Sequence, residues 1–369
     1  MRIALKLSFS ALLLFSIFFT WDDTAGAQEE RAKKVIYYGW GIRDTQYVRE
    51  NWRQMEKMPF NGIGIVIAID RSKPTRGKGA TSNQLCWQLM GPRQFRIEDF
   101  QEAIADLKVP KWKKFTDNFL PVALSSSVSA IGLNWFDERR WQIIRENFKV
   151  LAKIASEGRA KGFILDPEHY NYELFGYVSQ RKQVDKPFEH FVETARRRGR
   201  ELMAAIVESL PDPVILSLYA YTLHLNELRR GNILRKSEYD LLPAFYDGFL
   251  ESMPARAILI DGYEFAYGFK ERRQFLDGYR QIHRDAAKLC KFPDLYREKL
   301  RAGFGIWIDY QTQQTYFSPE ELQRAVGAAL EVSDGYVWIY SQKPQFFPLS
   351  EIATSYIEAI TEGKRQQVE

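Results

Sequence analysis

The chain is 369 residues long, 45% hydrophobic and 14% aromatic, with 52 basic and 47 acidic residues, four histidines and two cysteines. That length can bury a large core, while a net charge of +5, with basic runs such as Arg196-Arg197-Arg198 that suit solvated helix faces, implies no nucleic-acid partner. The histidines lack ligand spacing, so no structural metal is expected, and Cys86 and Cys290, far apart in sequence, leave a single disulfide open.

The first element is not part of the fold. Arg2 and Lys6 precede an apolar run from Leu7 to Trp21, followed by Ala25-Gly26-Ala27. This predicts a cleavable secretory signal over residues 1–27 and a secreted or periplasmic product without a membrane span after cleavage. A retained anchor is the weaker reading, because the run is short and no second long apolar stretch follows. Residues 28–369 are then expected to form one domain.

Eight short apolar runs rich in Val, Ile and aromatics follow in order: 35–40, 62–70, 119–124, 162–166, 214–219, 257–261, 303–309 and 335–340. Helical patterns follow them at 45–57, 97–107, 136–157, 187–210, 239–252, 270–289, 319–332 and 349–361. Start signals support this reading, with Asp44 before the first helix and Ser318-Pro319-Glu320-Glu321 at the seventh. Near-continuous apolar strands joined by helices predict a parallel sheet, and eight of them predict a (β/α)8 TIM barrel. An open doubly wound sheet is the alternative, but Gly39-Trp40-Gly41 does not match a dinucleotide-binding turn. Long connections at 71–96 and 171–186 fall on the side where a barrel builds its cleft.

Two strands run out into acids. In Gly162-Phe163-Ile164-Leu165-Asp166-Pro167-Glu168-His169-Tyr170, Asp166 and Glu168 stand two residues apart, so on extended backbone both point to one side. Pro167 lacks an N–H and is expected to mark the end of pairing, which puts the pair on the rim. In Ala257-Ile258-Leu259-Ile260-Asp261-Gly262-Tyr263-Glu264, Asp261 ends the run and a short bend swings Glu264 back over the mouth. Strands four and six flank the opening, so their carboxylates are candidates for acid/base work on a glycosidic bond. Asp261 has an alternative reading as a buried structural acid. Asp70 and Asp309 end strands two and seven and are candidates for binding sugar hydroxyls or tuning a neighbour.

Aromatic residues crowd the same ends: Trp40, Tyr219, Tyr221, Tyr263, Tyr267, Trp307, Tyr310, Trp338 and Tyr340. About half are expected to be core. Trp40, Tyr219 and Trp338 are the ones assigned to a sugar cleft, with Gln342 as a hydroxyl partner. Ser125-Ser126-Ser127 lacks a nucleophile elbow, and His169 reads more readily as a loop hydrogen-bonder than as a proton carrier. The acidic rim would also suit Ca²⁺ or Mg²⁺, as a metal-dependent lyase or hydrolase requires.

At Lys34-Val35-Ile36-Tyr37-Tyr38-Gly39-Trp40, Met58-Pro59-Phe60-Asn61-Gly62, Lys114-Phe115-Thr116-Asp117-Asn118-Phe119, Asp166-Pro167-Glu168 and Asp261-Gly262-Tyr263-Glu264, the chain resembles bacterial exported (β/α)8 proteins of glycoside-hydrolase type. The Asp-x-Glu and Tyr336-Val337-Trp338 also resemble chitinase-type hydrolases, in which the Glu is the acid, although Gly162-Phe163-Ile164-Leu165 replaces their longer acidic series. The resulting expectation is an exported glycoside hydrolase acting on a polysaccharide or glycoconjugate without a cofactor. Glu168 would be the general acid, Glu264 or Asp261 the base or nucleophile, and Asp166 would orient Glu168. The alternatives are a non-catalytic carbohydrate-binding barrel and the metal-dependent enzyme.

Overall fold

The computed structural model describes residues 33–126, 129–231, 235–309 and 317–365. The expected signal at residues 1–27 and Tyr310 lie outside them.

Eight parallel strands form the centre: β1 Lys34–Gly39, β2 Gly62–Ile63, β3 Phe119–Ser125, β4 Gly162–His169, β5 Val214–Ser217, β6 Ile258–Asp261, β7 Leu300–Trp307 and β8 Tyr336–Ser341. Neighbours in sequence are neighbours in the sheet, and β1 pairs with both β2 and β8. A parallel bridge between Gly64 and Phe119 joins β2 to β3 and closes the ring. The open-sheet alternative is thereby excluded, and the fold is a TIM barrel.

The outer layer is α1 Thr45–Met55, α2 Gln101–Lys108, α3 Glu138–Glu157, α4 Phe188–Val207, α5 Leu242–Ser252, α6 Arg272–Arg280, α7 Pro319–Val332 and α8 Glu351–Arg365. The start signals act as expected. Asp44 Oδ1 accepts from the Tyr47 N–H at 3.0 Å, and Ser318 and Glu321 form a reciprocal capping box. The expected long helix from 270 to 289 instead loosens and then tightens, from α into a π-helical turn at Gln281–Asp285 and a 3-10 turn at Ala286–Leu289. An unexpected helix, Tyr221–Arg229, follows β5 directly.

Strand lengths carry the main departures, because β2 is short and the chain leaves it to pair Ile65–Val66 with Arg43–Asp44 in a small separate ladder. β4 is longer than expected and continues through Pro167 to His169. The register with β3 slips between Ala123 and Ser125, which face Asp166 and His169, so a bulge absorbs the residue that cannot donate. Pro167 therefore does not end the strand.

Inward and outward faces alternate along each strand. On β8, Tyr336, Trp338 and Tyr340 point inward at rising levels. Tyr336 bonds Asp117 at 2.7 Å below, Trp338 packs on Gly305 of β7, and Tyr340 reaches the mouth. A Cβ on Gly305 would lie 2.5 Å from the Trp338 ring, so glycine there makes room for the indole.

Candidate active site

At the carboxyl ends of the strands lies a cavity of about 740 Å³. β4 supplies Asp166 and Glu168, the turn after β6 supplies Glu264 and Tyr267, and the strand ends supply Tyr38, Trp40, Tyr170, Trp307, Tyr340 and Gln342. The long 71–96 connection adds Arg76, Gln84, Cys86 and Trp87, as expected of a cleft wall, whereas residues 171–186 contribute nothing to the lining.

Extended backbone through β4 puts residues 166, 168 and 170 in one inward row. The Tyr170 hydroxyl lies 2.7 Å from Asp166 Oδ2 and 2.9 Å from Glu168 Oε2, and the Glu168 N–H donates to Asp166 Oδ1 at 3.0 Å. One phenol proton cannot fully serve two carboxylates. The trio is best satisfied when one acid is protonated and donates to the phenol oxygen. Burial, then the Glu168 charge, pushes the Asp166 carboxyl up to about 8, against the pull of its hydrogen bonds. Burial also raises Glu168, which is less enclosed and which the Tyr170 bond holds down.

Glu264 reaches the same cavity by a different route. After β6, Tyr263 adopts a left-handed conformation (φ 41°) and a 3-10 turn begins at Glu264. Glu264 is only 9% exposed. Burial, then the charges of Glu168 and Asp166, raises its carboxyl well above the usual range, although Tyr267 bonds it. Oε2 has no partner among the described residues.

Asp261, expected as a second acid of that strand, is not in the cavity. Register explains why: Leu165 pairs with Ser217 and Ser217 with Asp261, so Asp261 shares the outward row of Leu165, opposite in sense to Asp166. It is fully buried and accepts from Thr222 Oγ1 at 2.8 and 2.9 Å, and from the Thr222 and Tyr263 N–H groups at 3.2 Å. Burial pushes it up to about 6 against those bonds. It ties β6 to the start of the Tyr221–Arg229 helix, which is the structural reading.

Four other expected ligands also fall outside the lining. Asp70 sits in a surface turn, held down to about 2 by Ser72 and Lys73. Asp309 is buried and accepts from Trp307 Nε1 (2.8 Å) and the Gln342 and Lys343 N–H groups (3.0 and 2.8 Å), which ties the β7 tip to the chain after β8. Tyr219 packs on Phe265 at 4.7 Å. Trp338 is completely buried, its indole N–H donating to the Gly262 carbonyl at 2.8 Å. Trp40 and Gln342 do line the cavity, and so do Tyr267, Trp307 and Tyr340, whose rings meet at 5.1 to 5.7 Å.

His169 stacks between Tyr239 and Phe175, with Nε2 accepting from the Phe175 N–H, and burial lowers it to about 3. It is a neutral structural group. Cys86 and Cys290 are both free and buried, so no disulfide joins them. Among the described residues, no group of three or more His, Cys, Asp or Glu is arranged to hold a metal ion, and no helix is long and apolar enough to cross a membrane.

Sequence reading missed Tyr170, Tyr38, Trp87 and Arg76. For Tyr170 the signal was present, since it continues the alternation that picks out Asp166 and Glu168. Trp87 and Arg76 come from an irregular connection whose path no periodicity describes.

No protein-family model matches the chain, and neither does any curated protein. Among solved structures, it is similar to the PgaB (BpsB) glycoside hydrolase domain from Bordetella bronchiseptica, at 12% identity over 89% of this chain and 99% of that one, with a TM-score of 0.45. An endocellulase from Pyrococcus horikoshii is similar at 11% identity over 91% and 92% of the two chains (TM-score 0.45). A glycoside hydrolase family 5 enzyme from Prevotella bryantii is similar at 9% identity over 90% and 96% (TM-score 0.43). At such identities and TM-scores the likeness says nothing about the chemistry of this cavity.

Proposed function

We propose that the chain is an exported glycoside hydrolase that cleaves glycosidic bonds of a polysaccharide or glycoconjugate with carboxylate acid/base catalysis. The observation that carries this reading is the convergence of Asp166, Glu168 and Glu264 on one cavity whose walls are aromatic. Sugar rings offer flat C–H faces to such walls, and their cleavage needs one protonated and one ionised carboxyl group. Export is supported only by the pattern at residues 1–27.

The proton positions follow from burial. Glu168 is the least enclosed of the three acids and keeps a donor from Tyr170, so it ionises first. Its charge then holds the proton on the deeper Glu264. In this assignment Glu264 is the general acid, its unpartnered Oε2 free to meet the leaving-group oxygen, and Glu168 is the base or nucleophile. That reverses the roles given by the sequence and by the chitinase-type likeness. Asp166 and Tyr170 position Glu168 and hold the shared proton.

The test is hydrolysis of a panel of oligosaccharides by the wild type and by Glu168→Gln and Glu264→Gln. Loss of turnover in both variants, with binding retained, supports the pair. Wild-type binding without turnover would leave the carbohydrate-binding barrel as the reading. The anomeric form of the first product tells whether Glu168 attacks the sugar or activates water.

A further inference from the structure

The cavity has an acidic floor, yet its rim carries an arginine that has no ion-pair partner among the described residues. Arg76 Nη2 donates to the Trp40 carbonyl at 2.8 Å and to Gln345 Oε1 at 3.2 Å, both uncharged acceptors. Among the described residues no carboxylate lies within ion-pair distance of it, and Nη1 and Nε make no hydrogen bond. Arg43 stands nearby, also without an ion pair among the described residues, lying 5.0 Å over the Tyr47 ring. Burial, then the Arg76 charge, holds it below its ordinary value. The neighbouring acid, Asp44, is engaged in capping α1 and in accepting from Thr75 Oγ1 at 2.6 Å.

Beside Arg76 is the most exposed large ring on the cavity wall, Trp40, at 63%. The Trp40 main-chain carbonyl takes the Arg76 bond, which holds the guanidinium beside the ring. An exposed aromatic face next to a guanidinium whose Nε and Nη1 donors are open can bind a sugar ring and an anionic substituent on that ring together.

Resting on the glycosidase reading, we infer that Trp40 and Arg76 form a subsite for an acidic sugar, with the ring on the indole and a uronate carboxylate or sulfate ester on the guanidinium. The anion sits at the rim because the carboxylates of the floor repel it. The substrate class is accordingly an acidic glycan.

Calorimetric titration of the full-length Glu168→Gln protein tests this with uronate oligosaccharides, the same oligosaccharides as methyl esters, and sulfated and unsulfated neutral oligosaccharides. The acid should bind about ten- to a hundredfold more tightly than its ester, with salt eroding the difference. Arg76→Gln should abolish the preference, and Arg76→Lys should restore part of it, which a merely loop-holding role would not do. Preference in the uronate pair alone identifies the carboxylate, and preference in the sulfated pair alone identifies the sulfate. Equal binding of charged and uncharged forms, or a preference that survives Arg76→Gln, overturns the subsite. Turnover of neutral glycans without preference would sink the subsite and keep the hydrolase. Preferential binding of acidic glycans that the wild type never cleaves would do the reverse.

Discussion

At the tip of β4 the chain stays extended through Asp166, Glu168 and Tyr170, whereas at the tip of β6 it turns at Gly262, so the two ends place their carboxylates differently. One strand delivers both acids to the cavity with a phenol between them. The other sends Asp261 outward to Thr222 and only the later Glu264 inward. The sequences look alike, as apolar stems ending in a pair of acids. What separates them is how far the strand continues and which row of the sheet each residue joins.

The largest effects should separate chemistry from structure along that line. Glu264→Gln and Glu168→Gln are each expected to lower kcat/KM by about 10² to 10⁴ while leaving the unfolding midpoint near or above that of the wild type. A Glu264→Gln protein with wild-type turnover would break the assignment. Asp261→Ala should do the opposite. It leaves the Thr222 and Tyr263 donors unpaired in a dry interior and should cost about 2 to 3 kcal/mol in urea unfolding. The fraction that remains folded should keep near-normal kcat.

The barrel was legible because eight apolar runs and eight helical patterns alternate, and that signal depends only on local periodicity. Asp166 and Glu168 were legible for the same reason, as residues two apart on a strand share a face. Asp261 was not, because its row is fixed by pairing with Ser217, and inter-strand register is not written in one strand's sequence. Trp338 shows a related limit. Its aromatic character and strand-end position suit a cleft as well as a core, and only its level within the barrel decides. The rim at Arg76 comes from a connection without periodicity, where composition predicts a wall but not its members.

The three buried acids also set a pH dependence. Catalysis should rise with pH as Glu168 ionises, above the ordinary glutamate range, and fall as Glu264 loses its proton. Tyr170→Phe removes a donor that holds Glu168 and Asp166 down, so the rising limb should move to higher pH. Stability should run opposite to the rising limb. Asp166 has a folded value of about 8 against an ordinary value of 3.8, so the native state holds more protons than the unfolded state between them. Its contribution is therefore lost as pH rises through that window. Asp166→Asn should be nearly neutral near pH 4 and increasingly stabilising toward pH 9, and a gap in Tm that is the same at both ends would contradict the shift.

The smallest effect concerns the bend after β6. A Cβ on Gly262 would lie 2.6 Å from the Ser217 carbonyl oxygen, so the chain passes there as bare backbone, and the Trp338 indole N–H holds its carbonyl. Trp338 thus holds the bend that carries Glu264. Trp338→Phe removes one buried hydrogen bond and should cost about 1 kcal/mol in unfolding. Because the ring is outside the cavity lining, KM should stay near the wild-type value while kcat drops as Glu264 loses its fixed approach. A rise in KM with kcat unchanged would instead put the indole against the substrate, and with it restore the cleft role that the strand-end position suggested.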